Sequence, residues 1–445
     1  MRIGFGRADI TPRVGVALCG FGPFLNRQSV GVRDRLWARA MAVEHDGARA
    51  VVVACDLVGI DGSDTARARE RVTEATGLPG DALMVCCSHT HSGPDTCRGR
   101  IGWGGPDPPY LELLPGRIAR AAIDAIGRLE AGTLHHAEVP CEGIGLNREY
   151  DRDAPPLDEV LRDDWRPAKP ERTDTTCHVL RAEANGRLAG FVSYFGCHPV
   201  CCCQETRFIH GDFVGVATNA LQREHPGAVG LFLQGAAGDV NSCVVHKPER
   251  EALLALDLIA ARYANALRLG LREARPMPVD AVRFVRRRPA FTRRPWDADE
   301  ARRRLAEQEA ILRRPDADDA DRGVRMATVR ALALRRILAA MARGESLERP
   351  TEVQGIRIGP VALLASPFET FQAIKNEVRA RAASPIPLVI GTANDVRHGY
   401  APDRTTAERG GYAPDHVPLI HGFVPYAKLH EELPRELLAL DGELQ

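Results

Sequence analysis

Long apolar runs are missing from this 445-residue sequence, and so is an excess of charge of either sign. No segment reaches the roughly 18 apolar residues that a membrane-spanning helix needs, and the start of the chain lacks an apolar stretch of signal-peptide length. We therefore expect no integral membrane association and a cytoplasmic location. Lys plus Arg and Asp plus Glu number 59 each, so a nucleic-acid partner is not expected.

Cysteine is not scarce, but its twelve copies lack the spacing of a disulfide framework. Several are adjacent, as in Cys86-Cys87 and Cys201-Cys202-Cys203, and adjacent side chains of a strand point to opposite faces. No repeated Cys-x-x-Cys pair completes a tetrahedral thiolate site. We expect free, mostly buried thiols, although a thiolate metal site or a redox centre around Cys201–Cys203 stays open.

Short apolar runs alternate with helical stretches along most of the chain. The dipeptides Asp46-Gly47 and Asn185-Gly186 predict hairpin turns. They join predicted strands at 38–45 and 49–56, and at 177–183 and 189–196. Further strands are predicted at 81–87, 133–141, 229–234, 351–358, 360–366 and 387–391, and helices at 63–77, 111–131, 212–224 and 369–383.

The segment from about 249 to 343 has helical periodicity, broken by proline-rich joints near 276 and 314. We therefore predict an α/β protein with a mixed β-sheet core flanked by helices. A single large catalytic domain is expected over residues 1–445, with 249–343 as a helical insertion or layer within it.

Possible metal ligands follow the ends of predicted strands, where the loops of an α/β sheet commonly carry chemistry. His89-Thr90-His91 comes directly after the strand that ends at Cys87. Imidazoles at positions i and i+2 of an extended segment point to one side, which suits a metal ligand beside a catalytic histidine. His198 follows the apolar strand that ends at Gly196. Each histidine alone is equally compatible with a polar loop or with the core.

Two other candidates have weaker signals of their own. Glu369 follows an apolar strand and Ser366-Pro367-Phe368, which places its carboxylate at the start of a predicted helix. Capping is the ordinary role of an acidic residue at that position. Tyr400 ends a polar loop, where a tyrosine usually only packs. Spacing alone therefore does not single out either residue.

Several short motifs occur in a defined order along residues 1–426: Gly6-Arg7-Ala8-Asp9-Ile10-Thr11-Pro12, Arg35-Leu36-Trp37-Ala38-Arg39-Ala40, Ser88-His89-Thr90-His91-Ser92-Gly93-Pro94, Asn147-Arg148, Cys197-His198-Pro199, Gly235-Ala236-Ala237-Gly238-Asp239-Val240-Asn241, Pro367-Phe368-Glu369 and the loop ending at Tyr400. In content and order they resemble the neutral/alkaline non-lysosomal ceramidase family. The first motif and the His-Thr-His-Ser-Gly-Pro string are the most specific. The resemblance implies a ceramidase-like catalytic domain, and no C-terminal immunoglobulin-like domain is expected.

The resemblance also implies a metal site. One zinc ion would be bound by His89, His198, Glu369 and Tyr400, and another divalent metal could occupy the same ligands. His91 and Arg148 would act as catalytic residues beside the ion, together with Tyr400. Because the loop is one residue longer than in the family pattern, Tyr412 is the alternative to Tyr400.

The implied reaction is zinc-dependent hydrolysis of a linear amide bond by metal-bound water. The expected substrate is a small-molecule amide or a lipid-like molecule. An esterase or lactonase that acts on a small soluble substrate through the same metal site stays open. From other functional classes, a non-catalytic binding protein that retains the fold and a cysteine-based enzyme or redox protein are the alternatives.

Overall fold

The structure is a computed structural model that describes residues 1–151, 155–202 and 204–445. Its strands are β1 Arg2–Asp9, β2 Gly31–Val32, β3 Trp37–His45, β4 Ala48–Cys55, β5 Leu83–Cys87, β6 Glu130–Pro140, β7 Gly145–Asn147, β8 Thr176–Ala184, β9 Arg187–Phe195, β10 Phe208–Ile209, β11 Val229–Gln234, β12 Val240–Ser242, β13 Arg275–Met277, β14 Val282–Arg287, β15 Val353–Ile358, β16 Val361–Ala365, β17 Glu369–Thr370, β18 Ile386–Ile390 and β19 Tyr400–Ala401. Its helices are α1 Gly62–Thr76, α2 Pro108–Gly127, α3 Leu157–Val160, α4 Asp212–Glu224, α5 Glu249–Glu273, α6 Ala298–Leu312, α7 Arg322–Ala342, α8 Gln372–Arg381, α9 Arg404–Arg409, α10 Val417–Ile420 and α11 Leu429–Glu443. None of these helices combines the length and the apolar character required to cross a bilayer.

The larger sheet is mixed, with the strand order β11-β9-β8-β6-β1-β3-β4-β5, and β13 also pairs with β6. The pairs β9 with β11 and β4 with β5 are parallel. Both predicted hairpins are present. Asp46 and Gly47 have φ of 48° and 80°, and Asn185 and Gly186 have φ of 51° and 70°. Two successive residues with positive φ give the turn whose twist matches antiparallel strands, which explains why these dipeptides were informative.

A smaller sheet, with the order β14-β15-β16-β18, packs on one face of the larger sheet. The core between them includes Met41, Val52 and Leu231 from the larger sheet and Ile356 and Leu363 from the smaller one, all at most 2% exposed. Helices α1, α2, α4 and α5 pack on the other face of the larger sheet, and α8 and α11 pack on the smaller sheet. The fold therefore has four layers: helices, the larger sheet, the smaller sheet and helices. The prediction of a mixed sheet core flanked by helices is confirmed.

The segment 249–343 is less uniformly helical than its periodicity predicts. It contains α5, α6 and α7, but also β13 and β14, which pair with β6 and β15. These strands form because neighbouring strands complete their hydrogen bonds, and this tertiary pairing outweighs local preference. Helices α6 and α7 pack against each other, and α7 shares an apolar cluster with Tyr400, Phe371 and residues of α10. This part of the segment therefore lies beside the candidate site.

Candidate metal centre

The candidate ligands lie beyond the ends of strands from both sheets. The parallel strands β4 and β5 end side by side, and the chain continues from β5 to His89. The parallel pair β9 and β11 ends in the same way, and the chain continues from β9 to His198. The smaller sheet contributes Glu369, four residues after β16 ends at Ala365. The carboxyl ends of parallel strands thus position all three side chains, which is the usual place for a site in an α/β sheet.

His89 is fixed in orientation by its own backbone and by a neighbouring carbonyl. Its φ of 68° lies in the left-handed region, which is uncommon for a residue other than glycine and often marks a functional position. Its Nδ1 lies 2.7 Å from the carbonyl oxygen of Val58. Nδ1 must carry a proton to donate to that oxygen, and in the neutral ring Nε2 then keeps its lone pair. Nε2 lies 3.3 Å from Oε2 of Glu369.

His198 is held in the same tautomer by different carbonyl groups. Its Nδ1 lies 2.5 Å from the oxygen of Ala237 and 3.2 Å from that of Val240. Its Nε2 therefore also keeps a lone pair, and it lies 2.9 Å from Oε2 of Glu369. Burial lowers the pKa of His198 to about 4, which favours the neutral imidazole.

Glu369 and Tyr400 are direct partners in a short parallel pair, β17 with β19. The prediction that Glu369 begins a helix is wrong, because α8 begins at Gln372, after Phe371 as N-cap. Tyr400 is 6% exposed, and the centroid of its ring lies 6.3 Å from that of His198. Tyr412 is 44% exposed, and its ring centroid lies 6.0 Å from that of Tyr400. The register with Glu369 and the deeper burial make Tyr400 the better placed of the two tyrosines.

His91 completes a cluster of three imidazoles. Its ring centroid lies 4.9 Å from that of His89 and 5.9 Å from that of His198. The potential ligand atoms of the three histidines lie within 4.8 Å of one another. Both ring nitrogens of His91 are buried without a hydrogen-bond partner among the described residues. Burial, and then the neighbouring histidines, lower its pKa well below the usual value. A neutral imidazole with two unbonded nitrogens fits a position that receives an ion, water or a polar substrate group.

Gly20 determines how closely the neighbouring loop approaches His91. A Cβ atom at this position would lie 2.3 Å from Cγ of His91, and its φ of 122° is unfavourable for other residues. No sequence pattern singles out this glycine among the 41 in the chain.

Arg148 points its guanidinium group toward the same centre. It lies 5.1 Å from the centroid of the Tyr400 ring, a cation–π distance. Its Nη2 donates to the carbonyl oxygen of Gly238 at 2.5 Å, and its Nη1 to Oδ1 of Asn241 at 3.4 Å. The Asn-Arg motif therefore meets the Gly-Asp-Val-Asn motif in space.

Asp239 links these motifs to the segment that carries Glu369. Its Oδ2 accepts from Nδ2 of Asn147 at 2.8 Å, and its Oδ1 accepts from the backbone N–H of Gln372 at 2.9 Å. Burial raises the pKa of Asp239 to about 6. The sequence placed this residue in a motif but did not predict this positioning role, which only the meeting of three distant segments reveals.

The thiols of the cysteines near His198 contact a carbonyl oxygen and a serine hydroxyl. Sγ of Cys197 lies 3.6 Å from the carbonyl oxygen of His198, and Sγ of Cys201 lies 3.0 Å from Oγ of Ser242. Burial raises the pKa of both thiols well above the usual value, which disfavours the reactive thiolate. Cys203, the third member of the predicted thiol cluster, lies outside the described residues.

The family profile described as "Neutral/alkaline non-lysosomal ceramidase, N-terminal" matches residues 1–248, which is more than half of the chain. The chain belongs to this family. It is 28% identical over 263 residues to the neutral ceramidase of Pseudomonas aeruginosa, an alignment that covers 56% of this chain and 38% of that relative. The match thus spans well under half of the relative's length. The resemblance read from the motifs is confirmed.

Solved structures agree with this assignment at the level of the fold. The crystal structure of neutral ceramidase from Pseudomonas aeruginosa matches with a TM-score of 0.73 and 20% identity, over 100% of this chain and 75% of that chain. A ceramidase complexed with C2 also matches with a TM-score of 0.73, at 19% identity, over 99% of this chain and 74% of that one. The ceramidase-type fold therefore extends beyond the region that the family profile matches.

Proposed function

We propose that this ceramidase-family protein is a zinc-dependent hydrolase that cleaves an amide bond. One observation carries the proposal. Nε2 of His89 and Nε2 of His198 lie 3.3 Å and 2.9 Å from the same carboxylate oxygen of Glu369. With the protons on Nδ1 and both rings neutral, all three atoms are acceptors that repel one another. A cation among them removes this repulsion.

The donor set fits a zinc ion in type and in spacing. Two imidazole nitrogens, one carboxylate oxygen and the phenol of Tyr400 are N and O ligands of the kind that zinc accepts. In a tetrahedral site with bonds of about 2.0–2.1 Å, neighbouring ligand atoms lie about 3.3 Å apart. The observed separations of 2.9 Å and 3.3 Å are close to this value. Manganese or iron could use the same ligands, so the choice of zinc rests on the preference of such sites.

His91 and Arg148 would have separate roles beside a bound ion. A bound divalent ion would supply Lewis acidity, which polarises an amide carbonyl and lowers the pKa of water. His91, through one of its unbonded ring nitrogens, would take a proton from the attacking water and pass it to the leaving amine. Arg148, held by Gly238 and Asn241, would donate to the oxyanion that forms on the carbonyl.

A cavity above the candidate ligands has room for the part of a substrate that carries the amide. A cavity of about 190 Å³ lies over the site, bounded among others by Phe21, Arg148, His198 and Asn241. We propose a small-molecule or lipid-like amide as substrate, and ceramide is one member of that class. An ester or lactone carbonyl would be polarised in the same way, so esterase activity is the second candidate. A cytoplasmic location remains part of the proposal.

The test is hydrolysis of a short-chain N-acyl amide by protein whose metal content has been measured by mass spectrometry. The proposal expects one ion per chain, loss of activity after chelation, and recovery when zinc is added back. Full activity after complete removal of the metal would contradict it. Alkylation of the thiols should leave activity intact, whereas a cysteine-based enzyme would lose it.

A further inference from the structure

We propose that an outer cavity next to the metal centre binds the anionic group of an acidic amphiphile, which narrows the class of amides proposed above. The outer cavity is the space between α6, α7 and the segment 412–416. Its role in catalysis rests on the proposed hydrolase function, but its ligand chemistry can be tested separately.

The outer cavity has a volume of about 570 Å³ and a partly apolar wall. Ile311, Met326 and the ring of Tyr412 provide the apolar surface. This volume lies within the roughly 300–1,000 Å³ typical of small-molecule sites. It is also three times that of the cavity of about 190 Å³ directly over the ligands. The outer cavity is therefore the larger space available to the part of a substrate that is distant from the amide.

The outer cavity adjoins the catalytic site. Arg322, Met326 and Tyr412 form part of its wall and also part of the wall of the cavity that contains Arg148 and His198. Tyr412 further lines the pocket formed by His89 and Glu369. A substrate with its amide at the metal centre would extend past Tyr412 into the outer cavity.

The charge of the outer cavity is positive and is not balanced by the protein. Among the residues that the structure describes, Nη1 of Arg330 reaches only the neutral Oε1 of Gln308, at 3.3 Å, and its Nε is buried without a partner. Within the described parts of the chain, neither Arg330 nor Arg322 forms an ion pair with a carboxylate. By contrast, Arg303 on α6 pairs with Glu300 and Glu307. The side chains of the outer cavity therefore differ from the ordinary charged surface of the neighbouring helix.

The other ionisable groups around the outer cavity do not cancel this charge. Asp321 contributes a single negative charge against three arginines of the cavity wall, and its Oδ1 accepts the N–H groups of Gly323 and Val324 at the start of α7. Arg314 adds a further cation, whose nearest acid, Asp316, is 3.7 Å away. Burial lowers the pKa of His416 to about 4, and this histidine is neutral at pH 7.

A ligand with an anionic group on an apolar chain matches both the arginines and the apolar wall of the outer cavity. Arginine prefers carboxylate, sulfate and phosphate groups, which it can bind through two parallel N–H donors. A half-buried arginine without an acidic partner carries a desolvation cost that such a ligand would relieve. The apolar wall would accommodate the adjoining hydrocarbon. A neutral lipid would use the wall but offer no acceptor to the buried Nε of Arg330.

The experiment is isothermal titration of the purified 445-residue chain with three probes that share a ten-carbon chain: decanoate, decanol and decyltrimethylammonium. Decanoate should bind at least about tenfold more tightly than decanol, the difference expected for a charge-assisted hydrogen bond, and the cation should bind most weakly. Arg330→Ala and, independently, Arg322→Ala should reduce decanoate affinity about tenfold and leave decanol affinity unchanged. The matched control is Arg302→Ala, which removes the same charge from the exposed face of α6 and should change neither. Circular dichroism establishes that each variant is folded.

Equal affinity for decanoate and decanol, or equal behaviour of all three arginine variants, would overturn the proposal. Decanoate binding that chelation abolishes and Arg330→Ala preserves would also overturn it, because the carboxylate would then be bound by the metal. The outcome is independent of the proposed hydrolase function. A protein that cleaves no amide can still show the arginine-dependent preference, and an active amidase without that preference refutes only the anionic cavity.

Discussion

Oε2 of Glu369 lies 2.9 Å from Nε2 of His198, although the two residues are separated by 171 positions in the sequence. The contact is informative because Nδ1 of His198 already faces the carbonyl oxygen of Ala237. A neutral imidazole in that tautomer presents a lone pair, not a proton, to the carboxylate. In the proposed function, a divalent cation shared with His89 would explain the approach of these acceptors.

Removal of Glu369 as a ligand should greatly weaken metal binding. Glu369→Gln keeps the shape of the side chain but removes the negative charge, and we expect metal affinity to fall roughly 100-fold or more, with loss of hydrolysis. Mass spectrometry of the dialysed protein measures the metal content. Glu377→Gln on α8 is the matched control and should bind one ion like the unmodified chain. Full metal content in Glu369→Gln would exclude this residue as a ligand.

Tyr400 and Tyr412 should differ when each loses its hydroxyl group. Tyr400→Phe should weaken metal binding and lower kcat, since Tyr400 is the register partner of Glu369. Tyr412→Phe should retain the metal, because this exposed side chain contributes mainly its ring to the cavity walls. Metal titration and steady-state kinetics on both variants show which tyrosine is the ligand. The reverse pattern would identify Tyr412 as the ligand.

A methyl group on Gly20 should displace His91 without removing the metal. In Gly20→Ala the new Cβ would lie 2.3 Å from Cγ of His91, so the ring must move. A misplaced catalytic group commonly costs about 100-fold in rate, and we expect a fall in kcat of this size. Gly99→Ala is the control, because its φ of 77° is also positive but a Cβ there meets no atom within 4 Å. Equal kinetic effects in the two variants would show that backbone strain, not His91, is responsible.

Acid should weaken an ion pair that fixes α8, the helix that follows Glu369. Burial alone would raise the pKa of Asp174, but Lys375 outweighs it and the pKa falls from 3.8 to about 2. A lowered pKa in the folded state stabilises the protein above about pH 4, and this contribution disappears as the pH falls toward 2. At about 1.4 kcal/mol per pKa unit, it amounts to at most about 2 kcal/mol.

Urea unfolding of Asp174→Asn between pH 6 and pH 2.5 tests this pair. The variant should be less stable than the unmodified protein near neutrality, and the difference should shrink as the pH falls. Asp299→Asn, at a side chain that is 90% exposed, should unfold like the unmodified protein throughout. A difference for Asp174→Asn that does not change with pH would contradict the assigned role.

The sequence predicted the local features of the fold well because their causes are local. Asp46-Gly47 and Asn185-Gly186 specify turns through their own backbone preferences, and the strands beside them follow from apolar periodicity. The strands Arg275–Met277 and Val282–Arg287 were missed because their partners lie elsewhere in the chain. The same cause explains Glu369, whose short strand depends on the pairing with Tyr400.

The prediction of the candidate site depended on the resemblance to the ceramidase family rather than on the spacing of the residues in the sequence. His89 and His91 are close in the sequence, but His198 and Glu369 converge on them only through two different sheets. Their tautomers depend on carbonyl groups of Val58 and Ala237, which no sequence pattern marks. Positions such as Gly20 and Arg330 become informative only when the folded neighbours are known.

The most direct test of the metal centre is a crystal structure of the protein with anomalous scattering measured at the zinc edge. We expect one peak at about 2.0–2.2 Å from Nε2 of His89, Nε2 of His198 and Oε2 of Glu369, with the oxygen of Tyr400 as the fourth ligand. Zinc found only at another group, such as His136, Glu138 and His178 on the larger sheet, would contradict it. A crystal supplemented with zinc that shows no peak between His89, His198 and Glu369 would also contradict the proposed metal centre.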